Sequence, residues 1–232
     1  MFRSAIQDKP EGYDHWKPLK LQMQNNPYAG KLIVLDGLDG SGKSSLIDAI
    51  SHYMNTRQVE YVMTKTPTDD VRSMRAWRQW SDRTQGLSRH EIHGYGLSII
   101  AFGARLVHQR QFVEVHLSQG KIVISDRYIL SSVVYESGLV HEELSKLLIR
   151  PDLGILVDVS PDEAMRRVRK RENEVEHPDD KSDAFKLRDR YRKLASLNGY
   201  VVVDTTDSTV PESLKSIEGH LADLVRNGSR SG

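Results

Sequence analysis

A short glycine-rich segment that ends in a lysine and a serine is the part of the sequence best suited to chemistry. It consists of Gly37, Leu38, Asp39, Gly40, Ser41, Gly42, Lys43 and Ser44, and it fits the spacing GxxxxGK(S/T) without a mismatch. Glycines here let backbone N–H groups turn toward phosphate oxygens, and the N-terminus of the helix predicted to follow adds partial positive charge. We expect Lys43 to reach the transferring phosphates and Ser44 to offer its oxygen to Mg²⁺. The segment predicts a site for ATP with Mg²⁺, but it does not by itself indicate a kinase.

Two further segments carry charges that a nucleotide site can use. Asp126, Arg127 and Tyr128 directly follow the apolar run KIVIS, and five cations occupy the seven positions of Met165–Arg171. The second run leads into the polar stretch ENEVEHPDDKSD, which favours a mobile flap over a packed helix face. A cationic flap can close over phosphates, neutralise developing charge and exclude water. The sequence therefore predicts an arginine-rich lid near the phosphate loop.

The elements that must position these residues alternate between strands and helices. Five short runs rich in Val, Ile and Leu predict strands covered on both faces, as in a parallel sheet. They are Lys31–Asp36, Gln58–Met63, Lys121–Asp126, Leu153–Val159 and Tyr200–Asp204. Helical stretches separate them, at about Lys43–Asn55, Gly96–Gln119, Pro161–Arg171, Ala184–Leu197 and Pro211–Val225. The pattern predicts an α/β fold with a doubly wound five-stranded parallel sheet and helices on both faces, which binds ligands at the carboxyl ends of its strands.

Composition limits the kinds of protein that this chain can be. Of its 232 residues, 38% are hydrophobic and 28% are charged, and the net charge of +1 argues against binding of a long nucleic acid. The sequence has no cysteine, and no apolar run approaches the ~20 residues needed to span a bilayer. We expect a cytoplasmic protein without a membrane partner. Residues 1–28 are predicted to be an extension, 29–226 a single domain with a lid at about 165–183, and 227–232 a flexible tail.

Six segments of the chain carry a family resemblance. They are KLIVLDGLDGSGKSS, FGAR, KIVISDRYILSSVVYESG, LVDVSPDEAMRRVRKR, FKLRDRYRKLA and VVVDTTDSTVPES. Together, from roughly Gly30 to Val225, they resemble the thymidylate kinase family of nucleoside monophosphate kinases, and the DRY…SS…Y pattern is the most discriminating part. The resemblance implies the P-loop NTPase fold and transfer of the γ-phosphoryl group of Mg·ATP to the 5′-phosphate of dTMP. It also implies small-molecule nucleotide partners and a homodimer built on the long helices.

The resemblance further implies roles for individual residues. The acceptor would be bound by Asp39 at the 3′-hydroxyl, Arg127 at the 5′-phosphate, Arg105 at the base edge, Ser132 at the pyrimidine and Tyr135 at the 2′ position, with Lys65 and Phe102 beside them. ATP would be bound by the loop from Gly37 to Ser45 and by Arg166, Asp204 and Thr205. Mg²⁺ would be held by Ser44 and Asp126. Catalysis would depend on Lys43, Arg127, Arg167, Arg171 and Asp39.

The acceptor side departs from the family pattern. After its second strand the family has Arg-Glu-Pro-Gly-Gly-Thr, whereas this chain has TKTPTDD, in which Lys65 keeps a charge without the planar fork of arginine. Residues 69–96 match nothing in the family, and Ala101 stands at the base-stacking position, one step before Phe102. Three alternatives therefore stay open. They are a kinase of the same fold for another or modified dNMP, a kinase of nucleoside or nucleic-acid ends, and a nucleotide-binding regulator.

The phosphate loop has no cation before Lys43, although some members of the family carry an arginine there. The charge of the transition state must then be met by arginines of the lid. We expect substitutions in the lid to lower turnover more than they lower ATP affinity.

Overall fold

The sheet at the centre of the molecule has five strands, all parallel. The computed structural model describes residues 16–81, 94–135, 137–172 and 178–228. The strands are β1 (Lys31–Asp36), β2 (Tyr61–Lys65), β3 (Ile122–Asp126), β4 (Leu153–Asp158) and β5 (Val201–Asp204). Their order across the sheet is β2-β3-β1-β4-β5, so β1 lies in the middle. The carboxyl ends of β1, β3 and β4 therefore lie side by side, at the edge where an open α/β sheet binds its ligand.

Helices connect the strands and cover both faces of the sheet. They are α1 (Lys43–Thr56), α2 (Asp69–Ser73), α3 (Arg75–Ser81), α4 (Gly94–His108), α5 (Glu114–Ser118), α6 (Leu130–Val133), α7 (Leu139–Ser145), α8 (Pro161–Glu172), α9 (Pro178–Asn198) and α10 (Val210–Gly228). A π-helical turn, Gln109–Val113, joins α4 to α5 without a break. None of the helices described here is both long and apolar enough to cross a membrane.

Alternate residues of β1 face two separate apolar layers. Leu32 and Val34 pack in one layer with residues of α5, α6 and α9. Ile33 and Leu35 pack in the other with residues of α1 and α10. All four side chains are completely buried. A strand covered on both faces has no position for a polar side chain, which explains the continuous apolar run in the sequence. The predicted fold class is confirmed.

The second strand lies later in the chain than the sequence predicts. The apolar run indicates Gln58–Met63, whereas β2 spans Tyr61–Lys65. Gln58 adopts a left-handed conformation with a φ of 55°, and the N–H of Val59 donates to a carbonyl in the last turn of α1. These two residues complete the turn that ends α1, so extended pairing with β3 starts only at Tyr61.

Residues 16–28, the described part of the predicted extension, lie against the domain. The Nε1 of Trp16 donates to the carbonyl of Val133, at the end of α6, over 2.7 Å. The guanidinium of Arg190, in α9, lies 4.8 Å from the centre of the Trp16 ring. Arg190 also donates to the carbonyl of Tyr135 over 3.2 Å. The segment therefore supports the chain just after α6, where the sequence predicts acceptor contacts.

Candidate active site

The loop between β1 and α1 has the backbone that phosphate binding requires. Gly40 and Gly42 have φ values of 79° and 88°, in the left-handed region that favours glycine. At Gly40 a Cβ atom would lie 2.3 Å from the carbonyl oxygen of Ala164 in α8, so a side chain is also excluded sterically. The first N–H groups of α1, which begins at Lys43, have no partners within the helix. Loop and helix together therefore offer backbone donors to an anion.

The side chain of Lys43 is buried inside this loop. Its Nζ donates to the carbonyl oxygens of Gly37 and Leu38 over 3.1 and 2.7 Å. Burial, and next the charge of Arg127, lower the pKa of Lys43 to about 7, although three nearby carboxylates act in the opposite direction. An anion beside this ammonium group would offset its desolvation. The buried lysine therefore favours phosphate binding at the loop.

Arg127 reaches from the end of β3 to the same loop. Its φ of 70° is uncommon for a residue with a side chain, and its N–H donates to the carbonyl of Leu35 over 2.8 Å. Its Nη1 donates to the carbonyl of Gly37 over 2.9 Å, and its Nη2 forms an ion pair with Asp39. Burial disfavours the charge of Arg127, but Asp39 and, after it, Tyr191, Tyr135 and Asp126 together outweigh burial and raise the pKa of Arg127. The structure thus places Lys43, Asp39 and Arg127 around one loop.

Two carboxylates lie beside these cations, at the ends of β1 and β3. The Oδ1 of Asp36 accepts hydrogen bonds from the backbone N–H groups of Tyr128 and Ser131, both over 3.1 Å, and from the Ser131 hydroxyl. The Oδ2 of Asp36 and the Oδ1 of Asp126 are buried without a hydrogen-bond partner in the described part of the chain. Each oxygen can therefore accept a hydrogen bond from a water molecule.

These residues fit the Mg²⁺ ion that the sequence predicts. Mg²⁺ keeps several waters and is bound through one or two protein oxygens together with substrate phosphates. The Oδ1 of Asp126, which has no hydrogen-bond partner among the described residues, can hold a metal-bound water, and Ser44 is an exposed residue at the start of α1. Within residues 16–81, 94–135, 137–172 and 178–228, no group of three or more His, Cys, Asp or Glu residues could hold a metal without a substrate.

A buried arginine marks the predicted base pocket. Arg105, in α4, is 2% exposed, and its Nη1 donates to the hydroxyl of Ser132 over 3.1 Å. Its Nε and Nη2 have no hydrogen-bond partner among the residues that the structure describes. Buried N–H groups without acceptors suit the carbonyl oxygens of a base. Arg105 and Ser132, both predicted base contacts, are therefore adjacent.

Three other residues predicted to contact the acceptor, Phe102, Tyr135 and Lys65, differ in how deeply they are buried. Phe102 is completely buried in the apolar core, with its ring centre 5.9 Å from the Arg105 guanidinium. Tyr135 is half-buried at the edge of that core, and its charge interaction is one of those that raise the pKa of Arg127. Lys65 is exposed at the end of β2, paired in register with Asp126.

Arg167, in the predicted lid, contacts the phosphate loop directly. Its Nη2 donates to the carbonyl of Thr205 over 2.6 Å, and its Nη1 lies 3.4 Å from the carbonyl oxygen of Gly40. Arg166, one position earlier, is largely exposed. Both arginines form ion pairs with Glu163. Hydrogen bonds from Arg166, and then from Arg167, hold the pKa of Glu163 at about 2. Arg166 and Arg167 therefore both form ion pairs with Glu163, but Arg167 contacts the phosphate loop whereas Arg166 is exposed to solvent.

The segment after β5 borders the phosphate loop on its other side. The Oγ1 of Thr205 lies 2.8 Å from the carbonyl oxygen of Ser41 and 3.1 Å from that of Asp158. Asp204 is exposed, and its Oδ1 accepts a hydrogen bond from the N–H of Thr206 over 2.9 Å. The predicted lid continues beyond these contacts. The side chain of its Arg171, and residues 173–177, lie outside the described residues.

Comparison with known proteins adds an independent observation. A family model described as thymidylate kinase matches residues 35–217. The chain belongs to the thymidylate kinase family. It is 31% identical over 206 residues to the probable thymidylate kinase of Pyrococcus horikoshii, covering 84% of this chain and 94% of that protein. It is 32% identical over 170 residues to that of Thermococcus onnurineus, covering 70% and 83%. The probable thymidylate kinase of Thermococcus gammatolerans is 26% identical over 206 residues, covering 86% and 99%.

Three residues at this candidate site, Asp36, Ser131 and Tyr191, are absent from the predicted site residues. Asp36 ends β1, and Ser131 lies four positions after Arg127. The hydroxyl of Tyr191, in α9, lies 3.4 Å from Arg127 Nη1 and donates to the Ser131 hydroxyl over 3.1 Å. An acidic residue at the end of a strand just before a phosphate loop is a usable signal for Asp36. Tyr191 has no such signal, because it reaches the site only when α9 packs on the sheet.

Proposed function

We propose that this member of the thymidylate kinase family transfers the γ-phosphoryl group of Mg·ATP to the 5′-phosphate of dTMP, giving ADP and dTDP. One observation carries the proposal: the carbonyl oxygen of Gly37 accepts hydrogen bonds from both Lys43, over 3.1 Å, and Arg127, over 2.9 Å. Lys43 is the cation for the donor phosphates, and Arg127 is the cation for the acceptor phosphate. Their side chains lie within two hydrogen-bond lengths of each other, so the phosphates that they bind are adjacent, as direct transfer requires.

The reaction needs positioning and charge more than it needs proton transfer. An oxygen of the acceptor phosphate forms a bond to the γ-phosphorus, and the bond from that phosphorus to the bridging oxygen of ADP breaks. The attacking phosphate oxygen is already ionised at neutral pH, so no side chain has to act as a base. Lys43, Arg127 and Arg167 have the charge and the placement to stabilise the equatorial oxygens and the leaving group.

Side chains around Arg127 and Arg105 would orient the acceptor. Asp39, whose side chain is 75% exposed, holds the Arg127 guanidinium and can also accept a hydrogen bond from a sugar hydroxyl. The unpaired N–H groups of Arg105 can bind a base carbonyl, and Ser132 lies beside them. Tyr135 would crowd the 2′ position and so favour deoxyribose. Each group holds a different part of one nucleotide, which fixes its phosphate in line with the donor.

Ser44 and Asp126 are the residues that would hold Mg²⁺, the first directly and the second through water. When bound, the ion neutralises charge on the donor phosphates. Asp36 can support the same waters, because its Oδ2 is buried without a hydrogen-bond partner among the described residues.

A homodimer formed through the long helix is part of the same proposal. Ile100 and Val107 are 41% and 55% exposed and lie seven positions apart in α4, on the same face of the helix. Gly103 lies between them in sequence, and a Cβ atom at that position would contact nothing within 4 Å. An apolar face with a small residue at its centre permits close helix packing. Light scattering of the wild-type protein and of Val107→Glu tests this interface, because a dimer should dissociate in the variant.

The cytoplasmic location of the protein stays a prediction from its composition.

The test of the proposed activity is ADP release from Mg·ATP with a panel of acceptors. The panel contains dTMP, dUMP, 5-substituted dUMPs, dCMP, dGMP, dAMP, UMP and thymidine, and Lys43→Ala serves as the inactive control. We expect strong stimulation by dTMP over UMP, and none by thymidine, which lacks the phosphate for Arg127. No stimulation by any monophosphate would contradict the kinase assignment and favour a nucleotide-binding regulator.

A different or modified pyrimidine dNMP is the second candidate acceptor. It is favoured by the absence of an aromatic ring at Ala101, the base-stacking position, and by Phe102, whose ring is enclosed in the core. A preference for a 5-substituted dUMP over dTMP in the same panel would support this acceptor. It would leave the roles of Lys43, Arg127 and Arg167 unchanged.

A further inference from the structure

The chain around Tyr135 is held by side chains from distant parts of the sequence. The carbonyl groups at the end of a helix have no partners within that helix. At the end of α6 the partners come from elsewhere, because Trp16 Nε1 donates to the carbonyl of Val133 over 2.7 Å. Arg190 Nη1 donates to the carbonyls of Val134 and Tyr135, each over 3.2 Å. Three successive carbonyl groups are therefore bound by two side chains.

Trp16 and Arg190 also contact each other. The Arg190 guanidinium lies 4.8 Å from the centre of the Trp16 ring, and Arg190 is 7% exposed. A guanidinium group over an indole ring is attracted by the negative face of the ring. Contact with the ring also restricts the rotamers of the long arginine side chain. Trp16 therefore binds one carbonyl directly and helps to hold the arginine that binds the next two.

The residue after Trp16 binds the chain on the other side of Tyr135. The backbone N–H of Lys17 donates to the Oγ of Ser137 over 3.0 Å. The Ser137 hydroxyl donates in turn to the carbonyl of Lys17 over 2.8 Å. Tyr135 thus lies between Val133 and Ser137, and both of these residues are hydrogen-bonded to residues 16 and 17.

The N-terminal segment is itself anchored on two helices. The N–H of Leu21 donates to Asn198 Oδ1, in α9, over 2.8 Å, and Asn198 Nδ2 donates to the carbonyl of Leu19 over 3.0 Å. The N–H of Gln22 donates to the Oγ of Ser145, in α7, over 3.0 Å. Because the segment is fixed to both helices, Trp16 has a defined position on the domain.

The chain that Trp16 holds carries the residues predicted to contact the sugar and the base. Ser132, which accepts a hydrogen bond from Arg105, directly precedes Val133. Tyr135 follows two positions later, with its side chain half-buried at the edge of the core. A misplacement of about 1 Å between a positioning group and a substrate is enough to lower a rate strongly. The bonds from Trp16 and Arg190 fix the backbone from which the Tyr135 ring would reach the acceptor.

We propose that Trp16, together with Arg190, is a positioning residue for Tyr135, and that residues 16–28 thereby strengthen the preference of the enzyme for deoxyribose over ribose in the acceptor. The inference rests on the proposed function, since it concerns the same acceptor site. Residues 16–28 precede residue 35, where the match to the family model begins, so membership of the family does not supply this contact. Trp16 and Arg190 act through Tyr135 and do not touch the substrate.

The test compares two substitutions of Trp16 with a control in the same segment. Trp16→Ala removes both the N–H donor and the ring over Arg190, whereas Trp16→Phe removes the donor and keeps a ring. Leu19→Ala is the matched control, because Leu19 is also half-buried against the core but its side chain cannot donate to a carbonyl. Steady-state kinetics gives kcat and KM for dTMP, UMP and ATP. Circular dichroism melting confirms that each variant is folded.

We expect Trp16→Ala to raise the use of UMP relative to dTMP by about three- to fivefold in kcat/KM, a part of the change expected when the Tyr135 ring itself is removed. Trp16→Phe should show a smaller change, and the KM for ATP should stay within about twofold of the wild type in both variants. Because Trp16 acts through Tyr135, the double variant Trp16→Ala/Tyr135→Ala should show the same ratio as Tyr135→Ala alone. Leu19→Ala should lower the Tm without changing the ratio.

A ratio of UMP to dTMP use in Trp16→Ala equal to that of the wild type would overturn the positioning role alone. An equal change in Leu19→Ala would overturn it as well, since any loosening of the segment would then have this effect. Multiplied effects in the double variant would show that Trp16 does not act through Tyr135. If Trp16→Ala does not fold, the same comparisons are made with Trp16→Phe. A wild-type protein that releases no ADP with any monophosphate would instead overturn the proposed function and, with it, the choice between sugars.

Discussion

The buried histidine beside the base pocket gives a quantitative prediction about stability. His141, in α7, is completely buried, and its Nε2 shares a hydrogen bond with the hydroxyl of Ser98. Burial, and then the charge of Arg105, lower the pKa of His141 to about 4 from an ordinary value of 6.5. The folded protein therefore keeps His141 neutral at a pH where the unfolded chain would protonate it. Replacing His141 by glutamine removes the titration and keeps a polar side chain opposite Ser98.

The magnitude follows from these two pKa values. Because the folded pKa is depressed, the neutral histidine contributes its full stability above pH 6.5, and this contribution is lost as the pH falls toward 4. Proton linkage then gives a loss of about 2 kcal/mol in the free energy of unfolding between pH 7 and pH 5. The loss approaches about 3 kcal/mol at lower pH, when both states are protonated.

Urea unfolding at pH 7 and at pH 5 measures this effect as a difference between proteins. The free energy of unfolding of the wild type should fall by about 2 kcal/mol more than that of His141→Gln over this interval. His220→Gln is the control, because it makes the same substitution at a histidine that is exposed on α10 rather than buried. A difference between wild type and His141→Gln that is the same at both pH values would refute the reasoning.

Three further predictions concern the lid, the sugar and the sheet. Arg167→Ala should lower kcat by about 10²- to 10³-fold, with a smaller change in the KM for ATP. Arg166→Ala is the control, because Arg166 is exposed and its loss should affect kcat less. Steady-state kinetics measures both variants, and an unchanged kcat in Arg167→Ala would contradict the lid role. Tyr135→Ala should raise the use of UMP relative to dTMP by about tenfold in kcat/KM, and an unaltered ratio would contradict its role at the 2′ position. Gly154→Ala would place a Cβ atom 2.8 Å from the ring of Tyr200. The substitution should lower the free energy of unfolding by about 1–3 kcal/mol, measured as a lower Tm. An unchanged Tm would show that the ring can move aside.

The sequence predicts well those parts of the site that are local in the chain. The phosphate loop and the first turn of α1 are contiguous, so the residues from Gly37 to Ser44 indicate both their backbone and their chemistry. The apolar runs predict the parallel sheet because each strand is buried on both faces. β2 is the exception: it is displaced because Gln58 and Val59 complete the end of α1. Apolar residues alone do not distinguish a strand from the turn before it.

Contacts made across the fold are less accessible to sequence analysis. Thr66 has no distinguishing signal in the sequence, and only its two bonds to the end of β3 show that it lies beside the backbone of Arg127. Tyr191 likewise reaches Arg127 from 64 positions away. In both cases the decisive information is which strand ends are neighbours. The amino-acid sequence does not show which strand ends are neighbours until the order of the strands in the sheet is known.

The packing of residues 16–28 has a consequence for the order in which the molecule is completed during synthesis. The segment is made before the domain that it packs on, yet Trp16 donates a hydrogen bond to Val133, which lies 117 positions later. The N–H of Leu21 donates to the side chain of Asn198 over 2.8 Å, across 177 positions. Docking of the segment must therefore wait until α9 has been made, because contacts this distant in sequence form late. The support that Trp16 and Arg190 give to the chain around Tyr135 is therefore added only after α9 has been made, although residues 16–28 are made early.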